Sequence, residues 1–229
     1  MHRLLAIVSA CVLFAGCTTT NTRVAVQDGA KPAAGAQILM LQPDVQLAVL
    51  TAAGIEEARA DWSKQAQANL VRELETQLKG RAHGLKTIAV DEAMDGRSGQ
   101  LLRLNVAVGQ SIQAFSYGAE KLPSKPAGFD WTLGEGARVL AEEQSADYAL
   151  FVNARGTYAS SGRMATAFGL AMLGVAVPLG QQQILASLVD LKTGRVIWFN
   201  VATTGQNADM RESEGATSLV TSLLKNIPL

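Results

Sequence analysis

Cysteine and histidine are nearly missing from this chain: two of each in 229 residues, Cys11 and Cys17, His2 and His83. That scarcity removes whole classes of chemistry. Zinc and iron sites need clusters of Cys or His at short spacing, and these positions supply none. A Ser–His–Asp triad would have to recruit His83 from the loop at 80–84, and no Gly-x-Ser-x-Gly elbow accompanies it; His83 reads as a solvated loop residue. Charge of one sign is lacking too. Twenty Lys and Arg balance twenty Asp and Glu, which leaves no basic footprint for nucleic acid and no acidic tail. Gly134-x-Gly136 is followed by no Gly-Lys-Thr/Ser, so it is not a phosphate loop. Asp91, Glu92 and Asp95 lack the ligand spacing of a calcium loop and read as a solvated turn. No catalytic, cofactor or metal residue is assigned.

What the chain does have begins at its N-terminus. His2 and Arg3 precede an apolar stretch, 4–14, broken only by Ser9 and Cys11. A permanent membrane span needs about 20 such residues, so 1–16 reads as an export signal. Its end, Leu13-Phe14-Ala15-Gly16-Cys17, resembles the lipobox of bacterial lipoproteins, with Phe14 in place of the usual Leu. The resemblance implies cleavage before Cys17, which becomes a lipidated N-terminus carrying acyl chains such as palmitate. Thr18 follows where an Asp would signal inner-membrane retention, so the resemblance implies an outer-membrane anchor on a periplasm-facing protein. Removing 1–16 leaves Cys17 as the sole cysteine, with no thiol for a disulfide. The remaining 213 residues (229 − 16) carry 19 bases and 20 acids, net −1.

Residues 17–35 are rich in Thr, Ala and Gly and read as the lipidated N-terminus and a flexible tether. Residues 36–229 read as one α/β domain: a compact sandwich of a small mixed sheet with packing helices. Residues 37–50 predict a bent strand or two short ones, broken at Pro43-Asp44. Ala58, Trp62, Ala66, Leu70, Leu74 and Leu78 recur every four residues and predict a helix over 56–79. Residues 85–90 read as a short strand. Leu101, Leu104, Val108, Ile112 and Phe115 fit one face of a helix over 99–117. Thr132-Leu133-Gly134-Glu135 has the form of a capping box opening a further helix. The closing helix is expected over 210–226, with Asp209 as its N-cap.

The stretch 147–200 holds the sheet's centre. Strands are expected at 148–154, 184–191 and 196–200, the last two joined by a turn at Lys192-Thr193-Gly194. Trp198 and Phe199 fall on opposite faces, Trp198 as core filler. Between the first two strands lies 164–180, seventeen residues without a charge. Two readings stand for it: a buried helix or hairpin arm inside the fold, or a membrane-touching or self-associating element. On the second, Phe168, Leu170, Met172 and Leu173 are the candidate membrane or oligomer contacts. Gly169, Gly174, Pro178 and Gly180 argue against a rigid spanning helix. Arg163, at the edge of this stretch, has two readings: a cation that meets a lipid phosphate or a carboxylate, or, the plainer one, a residue capping a turn.

The order of elements, together with Ala146-Asp147-Tyr148-Ala149-Leu150-Phe151-Val152 and the hairpin from Ala186 to Trp198, reading ASLVDLKTGRVIW, resembles one known family. It includes the curli-secretion channel lipoprotein and the N-terminal domain of the Tol-system propeller protein. The resemblance implies a non-enzymatic envelope lipoprotein that binds or scaffolds envelope proteins, alone or as a homo-oligomer, with no cofactor. Its partners would be the lipid bilayer, through the acyl chains, and envelope proteins of unassigned identity. The other reading is a subunit of an oligomeric secretion channel, with 164–180 facing the membrane. Channel-forming members build barrels from long amphipathic insertions; the insertion here is short and does not alternate.

Overall fold

In the computed structural model the described residues are 21–26, 31–81, 84–89, 96–120, 122–124, 128–205 and 208–229. Cys17, His83, Asp91, Glu92 and Asp95 lie outside them. In chain order the strands are β1 (Asn21–Val26), β2 (Gln37–Leu41), β3 (Asp44–Leu50), β4 (Glu56–Ala58), β5 (Gly84–Ile88), β6 (Tyr148–Ala159), β7 (Gln182–Asp190) and β8 (Val196–Thr204). The helices are α1 (Ala60–Leu78), α2 (Gly96–Ser116), α3 (Arg138–Gln144), α4 (Ser161–Ala171) and α5 (Ser213–Leu223), with a 3-10 turn at Glu135–Ala137.

All eight strands join one mixed sheet, whose main path runs β1-β8-β7-β6-β2-β5. β6 pairs antiparallel with β7 along one edge. Along its other edge it pairs parallel with β2 at residues 148–150 and then with β3 at residues 153–159. β2 and β3 are thus consecutive pieces of one line, interrupted where Pro43 has no N–H to give. The Gln42 N–H bonds instead to the Ile88 carbonyl at 2.9 Å.

Both faces of the sheet are buried, which explains why residues 38–41 are apolar without alternation. Ile38, Met40, Leu150, Val152, Ile184, Leu188 and Trp198 meet α1 and α5 on one face. Leu39, Leu41, Phe151, Val189 and Phe199 meet α2 and α3 on the other. Trp198 and Phe199 fall on opposite faces and are both fully buried. Opposite them the register slips between Leu188 and Val189. This bulge turns Ile197 onto the same core as Trp198.

Several boundaries differ from the sequence expectation, each for a local reason. Within the stretch read as a tether, residues 21–26 form β1, antiparallel to β8. α1 starts at Ala60 rather than 56, because residues 56–58 pair with β3 and the Arg59 N–H bonds to the Leu47 carbonyl at 2.8 Å. The Thr132 capping box does not form. Gly134 takes a left-handed φ of 74°, which breaks the helical path. The Thr132 hydroxyl accepts from the Gly134 N–H and donates to the Gly194 carbonyl. Asp209 does not cap α5; its carboxylate turns to Arg211, and the helix begins four residues later at Ser213. On α2 the buried line is Ser98, Leu101, Asn105, Gly109 and Ile112, while Leu104 is exposed. Asn105 accepts a bond from the buried Ser187 hydroxyl at 2.9 Å, and Gly109 lets the helix approach Leu185 and Phe199. The face expected from large apolar residues is therefore rotated toward small and polar ones.

Trp198 is the largest side chain that is fully buried. Truncation in a packed core costs the transfer energy plus a cavity. Trp198→Ala is expected to lower unfolding free energy by about 3–5 kcal/mol, read as a reduced urea midpoint.

Candidate functional site

The paired part of β6 and β7 ends at Gly156 opposite Gln182. Beyond that rung the chain leaves the sheet as an arm. Two irregular bonds carry the pairing outward, from the Thr157 N–H to the Gln181 carbonyl and from the Ala159 N–H to the Leu179 carbonyl. The Ser160 N–H bonds to Leu50 at the end of β3. Ser160 then caps α4, its hydroxyl accepting from the Arg163 N–H at 3.1 Å. Gly174, with φ of 79°, ends the helix. The Val175 N–H returns to the Leu170 carbonyl and the Gly174 N–H to Ala171, the paired bonds of a Schellman reversal. On the way back, the Pro178 carbonyl accepts from Arg163 Nε at 3.2 Å, so Arg163 does close a turn. Gly180 has φ of 106°, and a Cβ there would stand 2.2 Å from the Thr157 carbonyl oxygen; only glycine fits the root of the arm.

A polar knot holds that root. Gln182 is completely buried. Its Oε1 accepts from the Tyr158 hydroxyl and from the Met210 N–H, and its Nε2 donates to the Gly205 carbonyl at 2.8 Å. Tyr158 meets Trp62 edge to face at 5.8 Å. The Arg211 guanidinium stacks 3.8 Å from the Tyr158 ring centroid and 4.3 Å from that of Trp62, with Arg59 also over Trp62 at 4.3 Å. Burial, with the nearby Asp209 charge, pushes the Tyr158 hydroxyl far above its ordinary pKa. Burial also works to raise Asp209, but its hydrogen bonds from Arg211 prevail and hold the carboxyl below the usual range. Arg211 is raised in turn by that bond.

The arm itself is an exposed apolar surface. Of the nine large apolar side chains exposed among the described residues, six lie in it: Met164, Phe168, Met172, Leu173, Val175 and Leu179. Met164, Phe168 and Met172 follow at intervals of four and make one ridge along α4. Phe168, Met172 and Leu173 are 71%, 77% and 78% exposed. Leu170, the fourth predicted contact, is half-buried. No α4 residue is buried, which overturns the reading of 164–180 as a core element. Each such side chain left in water forgoes about 1.5–3 kcal/mol of burial. Ile55, 62% exposed, stands at the same end of the sheet, in the turn beside Arg163.

Elsewhere, a groove of about 350 Å³ runs between α2 and the β2–β3 break, where the apolar Leu41, Leu102, Val106, Phe151 and Val152 are joined by Gln42, Asp44, Gln46, Arg103, Asn105 and Asn153. The Asp44 carboxylate there pairs with Arg155. Among the described residues, no group of His, Cys, Asp and Glu is placed to hold a metal, and no helix is long and apolar enough to cross a membrane. The polar knot was missed in the sequence. Its one signal was a glutamine run, 181–183, where a strand begins.

Fold and site define a three-layer α/β domain that projects an apolar arm, uncharged from 164 to 180, from one end of its sheet. No family model matches the chain, and no curated protein matches it. Among solved structures it is similar to the PelC dodecamer from Paraburkholderia phytofirmans, at 16% identity and a TM-score of 0.40, covering 90% of this chain and 95% of that one. A leucine-to-methionine variant of the same dodecamer gives 17% identity and a TM-score of 0.38, over 91% and 96%. The LpoB C-terminal domain from Salmonella enterica gives 16% and 0.30, over 79% and 88%.

The Asp209–Arg211 pair yields a pH dependence with a definite sign. A carboxyl lowered in the folded state adds stability above its unfolded pKa, near 3.9, and that part is lost as pH falls through the folded value. Asp209→Asn removes this contribution. The gap between urea midpoints at pH 7 and pH 3 is expected to be narrower in this variant than in the parent; an equal gap would show that the pair adds nothing.

Proposed function

We propose that this chain is a non-enzymatic periplasmic lipoprotein, anchored to the outer membrane at Cys17, that binds or scaffolds envelope proteins, alone or as a homo-oligomer. The observation that supports it is the arm. The domain closes both cores without residues 164–180, yet it carries them as an exposed, uncharged projection. Such a patch on a domain surface marks contact with a neighbour, a protein or a membrane. The lipobox resemblance puts that neighbour in the envelope. One acyl chain gives only marginal attachment, while several together are lasting. The channel reading fits the arm less well: as folded here, the 11 residues of α4 cover about 16 Å of a hydrocarbon core of about 30 Å.

Two measurements test this. Cys17→Ser is expected to abolish palmitate labelling and to shift the protein out of the outer-membrane fraction; labelling and fractionation that stay unchanged would rule out the anchor. Photo-crosslinking in intact cells, from exposed positions of α1 and α3, is expected to capture envelope proteins or a second copy. A purified protein that turns over a substrate through a residue in the Asp44 groove would overturn the non-enzymatic reading.

A further inference from the structure

The position of β1 limits how far the domain can stand from Cys17. With residues 21–26 docked on β8, only Thr18, Thr19 and Thr20 separate Cys17 from the sheet. Four residue steps reach at most about 14 Å. The register then says which end of the sheet this short lead enters. Asn21 lies opposite Thr203, Thr203 opposite Gln183, and Gln183 opposite Arg155. That line is one rung from Gly156–Gln182, where the chain departs into the arm. The chain therefore enters β1 at the same end of the sheet from which the arm departs.

Resting on the lipoprotein reading, we infer that the arm inserts into the same leaflet that holds the acyl chains of Cys17. The ridge of Met164, Phe168 and Met172, with Leu173 and Ile55, would enter the boundary between headgroups and acyl chains. Nothing charged from 164 to 180 has to be desolvated. Arg163, at the arm's start and tied to Pro178, is placed at headgroup level, where a long cationic side chain keeps its charge in water. The sheet then stands with its β6–β7 exit on the membrane. The β7–β8 turn at Thr193 points away, about 27 Å distant along the strand at about 3.3 Å per residue. At about 16 Å the 11 residues of α4 are too short to cross a hydrocarbon core of about 30 Å, so the helix would lie in the interface and not across it.

The lipidated protein, in vesicles of phosphatidylethanolamine and phosphatidylglycerol, provides the test. The Cys17 thiol is consumed by acylation, so Phe168→Cys, Leu173→Cys and Thr193→Cys each introduce a unique thiol for an environment-sensitive fluorophore. All three positions are exposed, so labelling leaves the core intact. Labels at 168 and 173 are expected to shift to the blue and to be quenched by doxyl lipids, while the label at 193 stays open to aqueous iodide. Iodide access at 168 and 173 on vesicles would overturn the inference. So would protection that needs a second copy, seen as energy transfer between arms that disappears together with the protection when the protein is diluted in lipid. Mass spectrometry of the Cys17 peptide separates this from failure of the anchor. Where that peptide is found unacylated, the labelled variants carry Cys17→Ser, which keeps the thiol unique, and are held on the same vesicles by an N-terminal His-tag on a nickel-chelating lipid; doxyl quenching at 168 then supports arm insertion, and its absence overturns it.

Discussion

A sheet covered on both faces must satisfy its backbone within itself, and β6 is the strand on which this chain does so. It gives one edge to β7 and divides the other between β2 and β3. Twelve residues long, it is the only described strand with three strand neighbours. The two cores are distributed from it by simple alternation, with Leu150, Val152 and Ala154 on one side and Ala149 and Phe151 on the other. Because β3 holds β6 as far as Ala159, the strand keeps a partner after β7 has stopped pairing regularly. The arm is thus launched from a supported strand and not from a frayed end.

That arrangement explains why a glutamine is buried at the arm's root. Where β7 begins, the local backbone no longer has a regular ladder to satisfy it, and the segment leading into α5 crosses nearby. Gln182 has two lone pairs and two N–H groups. It meets Tyr158 from β6, Met210 from the α5 approach and the Gly205 carbonyl after β8. An apolar residue of the same size would leave a hydroxyl and a buried N–H unpaired, at about 1–3 kcal/mol for each group. The stacked Arg211, Trp62 and Tyr158 extend the same junction to α1. Glycines and a proline shape the arm's outer part, but its root is fixed to three elements.

How much of this could be read in the sequence follows from which residues carry the signal. α1 was legible because Ala66, Leu70, Leu74 and Leu78 are all apolar and all buried. The β7–β8 hairpin was legible because its Gly194 is required: a Cβ there would meet the Gly134 carbonyl oxygen at 2.0 Å. The α2 face was misplaced because its contact with the sheet runs through Asn105 and Gly109, residue types that hydrophobic periodicity ignores. β1 was missed because NTRVAV is short and carries no large apolar residue beyond its two valines; what defines the strand is the free edge of β8, a partner distant in sequence. For the arm, absence of charge was legible and exposure was not, since an uncharged Gly/Ala-rich stretch reads alike in a core and on a surface.

β1 also changes what the N-terminal region means physically. A free tether of 17–35 would let the domain sample any orientation some tens of ångströms from its anchor. A strand docked at 21–26 removes most of that freedom, and for the anchor proposed at Cys17 it would replace a leash by an orienting constraint. On the lipoprotein reading, a lead of at most about 14 Å from Cys17 to the sheet would raise the local concentration of the arm at the surface, as linking does for any second binding event. Each contact then needs less affinity of its own. A helix of 11 residues with a narrow apolar ridge would hold a free protein only weakly at a membrane, but that is enough for one already tethered there. In the proposed orientation the domain's remaining faces, including the Asp44 groove and the exposed side of α1, would turn away from the membrane, where a partner can reach them.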